Sequence, residues 1–248
     1  MKSQSAIEFM TIVALGIILI GAASYFGVDY ITSYLSDTDL INARQTVDSI
    51  TSASNIVYAQ SVGANSRIPV VIPRSVVRER TYASGNQVNI RFDNGGAKDV
   101  FRDTKPEIFG ALPTYPGNIY LNIRMRPEGN HTPRGAYIYV EELGLSMIFV
   151  GTYEDSSLIA SNFTRTFNQG ETVNYLIITE NESRELISSN LNIQIYYPNQ
   201  TLFNEINTST NSEGKFNNSF TASESGVWLI SAMNPDTRLI GTALVWVD

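Results

Sequence analysis

Met1-Lys2-Ser3-Gln4-Ser5-Ala6-Ile7-Glu8-Phe9-Met10 opens a stretch that runs on through apolar and small residues to Val28. From Phe9 to Val28 no side chain carries a charge, and about 20 residues is the length that crosses a bilayer core as a helix. One acidic residue, Glu8, sits just inside this segment. A carboxylate there costs roughly 2.5–3.5 kcal/mol, so its presence asks for a reason. A secretory signal peptide fits the stretch poorly. Such peptides have an apolar core of about 7–15 residues and then a small-residue cleavage site. Here the run is longer, and the nearest candidate site is Gly21-Ala22-Ala23-Ser24. A plain membrane anchor is the simpler alternative.

Charge sets the orientation. Lys2 precedes the span, the first charges after it are Asp29, Asp37 and Asp39, and no Lys or Arg follows until Arg44. Positive-inside logic puts the N-terminus in the cytoplasm and the large remainder outside the cell.

Working outward, residues 4–62 contain no proline. Leu40, Ala43, Val47, Ile50 and Val57 recur at three-four spacing, Ser54 fills the one gap, and Asn42, Arg44, Asp48 and Asn55 lie between. That is an amphipathic helix period. The pattern predicts one long helix over 4–62, with its transmembrane half at 6–28, reaching roughly 85–90 Å at 1.5 Å per residue. Two helices broken near Gly27 or around Ser33–Ser36 are the alternative. Gly16, Gly21 and Gly27 with Ala14, Ala22 and Ala23 give the first half small sides, which let helix backbones approach closely in an apolar medium.

From about Arg67 the period changes to two. Residues 68–72, 76–77, 87–92, 119–124 and 136–140 read as strands, and Ser84-Gly85-Asn86 and Asp93-Asn94-Gly95-Gly96 as turns. A calcium loop at Asp93 would need later acidic ligands that are missing. Residues 102–118, with Pro106, Pro113 and Pro116, read as a long loop. After Gly151 a second β unit is expected, with strands at 172–178, 192–197, 216–220, 226–231 and 239–247. The fold class is therefore α+β: a long N-terminal helix followed by an all-β head of two β-sandwich-like units, 67–150 and 155–248.

Gln4-Ser5-Ala6-Ile7-Glu8-Phe9 resembles the class III signal motif of archaeal type IV pilin-like proteins. The resemblance implies a leader of residues 1–3, cut between Ser3 and Gln4, with Glu8 as the fifth residue of the mature chain. Ser3 departs from the Gly or Lys usual before the cut. The resemblance implies a cell-surface filament of this chain or related pilins. Its other partners would be a prepilin peptidase, an assembly ATPase and membrane platform, and the membrane before assembly. Cleavage would free an ammonium on Gln4, and in a staggered stack Glu8 of one subunit would approach its neighbour's amine, removing an unpaired buried charge. Residues 169–173, 196–199, 213–216 and 226–228 resemble Ig-like modules of prokaryotic surface proteins, with Trp228 as a core residue.

The 248 residues carry a net charge of −7, which argues against a nucleic-acid partner because phosphate binding needs clustered Lys and Arg. There is no cysteine, so disulfides and thiolate metal sites are excluded. The one histidine, His131, sits in a loop composition, Gly129-Asn130-His131-Thr132-Pro133. No nucleophile–base pair or phosphate-binding glycine loop is present, and no spacing singles out a carboxylate pair from runs such as Glu141-Glu142 and Glu154-Asp155. The expectation is a protein that is no enzyme and needs no cofactor or metal. Glycan-acceptor triplets occur at Asn130, Asn162, Asn181, Asn199, Asn207 and Asn217. They are candidates for glycosylation on a translocated head; a polar Asn/Ser/Thr-rich β surface gives the same pattern. Two functions stand: a filament subunit, of which a minor or adhesive pilin is one form, or a non-polymerising, membrane-anchored surface protein contacting a glycan or the S-layer.

Overall fold

A proline-free run of 59 residues, Lys2–Gln60, forms one α-helix, α1, in the computed structural model. The structure describes residues 2–129, 132–141, 144–153 and 166–248, with backbone only for 2–9, 11 and 29. The helix is continuous through Gly27 and through Ser33–Ser36, where the alternative reading placed a break. Two threonine hydroxyls fold back onto its own carbonyls: Thr32 donates to Val28 O at 2.9 Å and Thr38 to Tyr34 O at 2.9 Å. The helix stops where Ser61 (φ 80°) and Gly63 (φ 90°) enter the left-handed region, a conformation that ends helical hydrogen bonding.

The chain divides into two compact units, Met1–Asp39 and Leu40–Asp248. The first is helix alone. In the second, the closing stretch of α1 buries Ala43, Thr46, Val47, Ile50, Ala53, Ser54 and Val57, the stripe that the three-four spacing predicts. Each fully buried Val or Ile stabilises by roughly 1.5–3 kcal/mol.

The head has strands β1 (Asn65–Ile72), β2 (Tyr82–Ser84), β3 (Gln87–Asp93), β4 (Ala97–Asp103), β5 (Ile108–Pro113), β6 (Gly117–Arg126), β7 (Gly135–Val140) and β8 (Met147–Tyr153). Then come β9 (Thr166–Phe167), β10 (Thr172–Glu180), β11 (Asn190–Tyr196), β12 (Leu202–Ser209), β13 (Lys215–Thr221), β14 (Gly226–Met233) and β15 (Leu239–Val247). Val76-Val77 makes only an isolated bridge, from Val76 to Phe92. The main sheet runs β1-β6-β7-β5-β15-β14-β11-β12, with β9 beside β15. A second sheet is β13-β10-β8 and a third is β2-β3-β4.

Two sequence readings are corrected here. Residues 102–118 are not one long loop: β5 lies within them, buried along its whole length. Pro106 precedes the strand and Pro113 is its last residue; Ile108–Gly110 run parallel to Ala136–Ile138 of β7 while Ala111–Pro113 pair with β15. Gly110 (φ 117°) is required at the crossing, because a Cβ there would meet the Ile138 backbone. The second correction is that 67–150 and 155–248 are not separate sandwiches. Strand β5 stitches β7 to β15, so both stretches share one sheet, and β8, from the first stretch, pairs with β10 of the second. One hydrophobic cluster runs from Val47 and Ile50 through Ile123 and Ile138 to Ile193 and Val245. The apolar run Met147–Tyr153 is buried on both faces, and neither stretch alone covers it.

Between the main and second sheets Trp228 is fully buried. Its ring lies 4.8 Å from Tyr197 and 5.3 Å from both Phe203 and Phe220, and its Nε1 donates to Glu224 O at 2.9 Å. The Asp93 segment is a hairpin turn, its carboxylate accepting from Gly96 N at 3.0 Å.

Candidate functional site

The first candidate surface is the opening stretch of α1. Ile17, Ile18, Leu19 and Ile20 are all 65–69% exposed. Four consecutive residues at 100° steps cover nearly the whole circumference, so no side of this helix is reserved for water. From Ile12 the helix is long and apolar enough to cross a membrane. A Cβ on Gly16, Gly21 or Gly27 would meet nothing, so these positions are open to close approach by another helix. Ser3, Gln4 and Glu8 lie on helical backbone; their side chains, and with them the proposed cut and charge pairing, lie outside the described residues.

The glycan-acceptor asparagines fall unevenly. Asn199, Asn207 and Asn217 are exposed and Asn181 is half-buried. Asn199 sits in the turn after β11, its Oδ1 accepting from Thr201 N at 2.9 Å and Thr201 Oγ1 at 2.7 Å. Asn207, on β12, accepts from Asn192 Nδ2 at 2.8 Å. Asn181 has its amide held at both ends by Glu185, through Nδ2 to Oε2 at 2.7 Å and Glu185 N to Oδ1 at 2.9 Å. Asn130, Asn162, His131, Glu142 and the Glu154-Asp155 pair lie outside the described residues.

Two polar clusters that sequence reasoning missed tie the halves of the head together. Arg126 of β6 donates to both oxygens of Glu180 of β10, at 3.1 and 3.0 Å, and to Tyr139 Oη at 3.0 Å. Tyr139 in turn donates to Glu180 Oε2 at 3.2 Å. Glu180 is 4% exposed at its side chain, and the Arg126 guanidinium lies 4.8 Å over the Tyr137 ring. Burial works against the charge on Arg126, but the Tyr139 and Glu180 oxygens outweigh it and its pKa rises. Burial, and then the Glu180 charge, push the Tyr139 phenol up to about 12.

In the second cluster Arg78, on a 3-10 turn (Arg78–Arg80), donates through Nε to Ser231 Oγ at 2.8 Å and through Nη2 to Ser231 O at 2.7 Å. It also donates to Asn192 Oδ1 and Asn192 O. Burial lowers its pKa to about 10, so it stays a cation at neutral pH. The partners stand 54, 114 and 153 positions apart, too far for any spacing rule. The local signal was an acid, Glu180, closing a strand whose middle, Tyr175–Ile178, is apolar.

A cleft of about 450 Å³ opens between the third sheet and the main sheet. Tyr82, Tyr196, Leu229 and Leu244 form its apolar floor. Phe101 (55% exposed) and Trp246 (38% exposed) stand among the residues lining it. Glu79, Asn89 and Asp99 supply polar groups. Among the described residues no group of His, Asp and Glu is arranged to hold a metal ion.

No family model matches the chain, and no curated protein does. Among solved structures, the soluble domain of PmoD from Methylocystis sp. ATCC 49242 is 10% identical over 41% of this chain and 91% of its own, with a TM-score of 0.30. The native form of Escherichia coli alpha-2-macroglobulin is 10% identical over 75% of this chain and 15% of its own, at 0.33. The trypsin-activated form is 12% identical with the same coverage, at 0.34. The chain thus spans about 15% of the macroglobulins it matches. Likenesses this slight carry no argument about fold or function.

Proposed function

We propose that this protein is a structural subunit of an archaeal type IV pilus-like cell-surface filament, in a minor or adhesive role. The observation that carries the reading is the two-part character of α1. Its opening stretch is apolar on every side, which suits first a bilayer and then a core of packed helices. Its closing stretch belongs to the head's own core. The motif Gln4–Phe9 adds the rest. In this reading a prepilin peptidase cuts before Gln4, an assembly ATPase and membrane platform extract the subunit, and Glu8 pairs with the neighbour's new amine. The head, glycosylated at exposed acceptors such as Asn199, Asn207 and Asn217, faces outward.

Mass spectrometry of sheared filaments and of washed membranes tests it. A peptide beginning at Gln4 in the sheared fraction supports a filament subunit. An intact Met1 or a start beyond Ser24 overturns the reading. Glu8→Ala should abolish assembly and leave membrane insertion intact; filaments in that variant would remove the role given to Glu8. A second reading, a membrane-anchored surface binder that does not polymerise, uses the same apolar stretch as a plain anchor and is favoured by the aromatic cleft in the head.

A further inference from the structure

We infer that the cleft between the third sheet and the main sheet is a binding site for a neutral saccharide. Three observations converge on that chemistry. The first is the aromatic content of the lining: Trp246 and Phe101, partly exposed, line it together with the apolar floor that Tyr82 and Tyr196 help to form. A sugar ring presents an apolar C–H face, and the negative face of an aromatic ring suits those weakly positive hydrogens. About 450 Å³ lies within the range of small-molecule sites.

The second observation is unmet acceptors. Asn89 is 4% exposed. Its Nδ2 donates to Arg80 O and, at 3.2 Å, to Asp99 Oδ1, which fixes which end of the amide is oxygen. That Oδ1 is buried and accepts from no donor of the chain, and Glu79 Oε2 is in the same state. A buried acceptor without a donor costs about 1–3 kcal/mol. Neither oxygen has surface open to the cleft, so an occupant reaches Glu79 Oε2, on a half-buried residue, by a rotation of that side chain, and a hydroxyl donor then supplies what a hydrocarbon cannot.

The third observation is charge. The lining holds two carboxylates, Glu79 and Asp99, against one cation, Arg80, and Arg80 is already paired with Asp99 at 3.4 Å. A phosphate or an acidic sugar meets net negative charge there; a neutral polyol meets acceptors. None of these groups could be read from sequence as a site, because the 3-10 turn, β2–β4, the β11–β12 connection, β14 and β15 each contribute.

This gives the adhesive reading a ligand class and depends on that reading for its meaning in the cell. Its test is separate from assembly, since Glu8→Ala leaves the cleft unchanged. The full-length chain, held in a detergent without a sugar headgroup, is titrated with malto-, cello-, manno- and chito-oligosaccharides, and with polygalacturonate as the acidic counterpart. Binding is followed by calorimetry and by tryptophan fluorescence; both tryptophans emit, but Trp246 lines the cleft and Trp228 does not, and the Trp246 variant assigns the change. The expected result is saturable binding of at least one neutral oligosaccharide with a fluorescence change. Trp246→Phe should remove that change while calorimetry still detects binding. Glu79→Gln, nearly isosteric, should weaken binding by about tenfold, the size of one lost charge-assisted hydrogen bond, with an unchanged thermal midpoint. Silence from all four neutral classes, tighter binding of polygalacturonate, or affinity unchanged in both Glu79→Gln and Trp246→Ala would each overturn the inference.

Discussion

The two parts of α1 share a backbone and differ in what surrounds it. Between Met10 and Tyr34 large apolar side chains are exposed on all sides, as at Ile17, Ile18, Leu19 and Ile20. From Leu40 onward burial returns every third or fourth residue, at Ala43, Val47, Ile50 and Val57. Helical backbone geometry is indifferent to this contrast; solvent is not. A helix in water must hide one stripe, and a helix in lipid or among other helices has none to hide. The same substitution placed in each part therefore reads out which medium that part was built for.

The largest effect separates the parts by pH. Burial raises Tyr175 and Tyr196 to about 12, and burial with the Glu180 charge raises Tyr139 to about 12; burial lifts Tyr137 further still. A tyrosine whose folded pKa lies above its unfolded value contributes stability that is complete below pH 10 and is lost as pH climbs toward the folded value. Burial raises Tyr82 and Tyr153 as well; Arg78, lowered from 12.5 to about 10, acts with the opposite sign in that window, one group against six tyrosines. The head should unfold between pH 10 and 12, with tyrosinate absorbance and loss of near-ultraviolet dichroism rising together. Alkaline-washed membranes should still hold the chain through its apolar stretch. Release of the chain at the same pH would break the comparison.

Next in size is the ion pair that crosses the head. Arg126→Met leaves Glu180 buried without its cation, and breaking such a pair costs about 3–5 kcal/mol. The thermal midpoint of the head should fall steeply, and the double variant with Glu180→Leu should recover much of the loss. A midpoint unchanged in Arg126→Met would mean that Glu180 finds another partner. Ile50→Ala removes a fully buried side chain and should cost about 2–5 kcal/mol. Ile18→Ala, in the exposed stretch, should leave the same midpoint where it was. Equal effects from the two isoleucines would show that the apolar stretch also packs against protein in the isolated subunit.

How much of this was legible follows from range. The stripe Ala43–Val57 is local, repeating within four residues, and sequence alone fixes it. The membrane-length run is local too. Strand β5 was hidden because Pro106 precedes it and Pro113 closes it and because its partners, β7 and β15, lie up to 130 positions away in the register Ala111↔Gly241. The apolar run Met147–Tyr153 was visible as residues but not as a bridge, since only the fold shows β8 beside β10. The cleft needs six separated segments, and periodicity cannot assemble those. The Gln4 and Glu8 motif is legible by resemblance, and its test is biochemical.

The smallest prediction is the most discriminating. Thr46 Oγ1 donates to Val71 O at 2.7 Å on β1, the outermost strand of the main sheet, and so helps cover an edge that would otherwise invite pairing. Thr32 Oγ1 makes a bond of similar length, 2.9 Å, but only to Val28 O of its own helix. Thr46→Val should cost about 1 kcal/mol, the net worth of one hydrogen bond whose loss leaves a tertiary acceptor unmet, and should lower the head's denaturation midpoint. Thr32→Val, with the same change in shape and polarity, should move nothing in the head, because that hydroxyl satisfies itself locally and the Val28 carbonyl keeps its helical partner. If the two variants shifted the midpoint alike, the division of α1 into a stretch built for lipid and a stretch built for the head would be wrong at the level of its bonds, even where burial supports it.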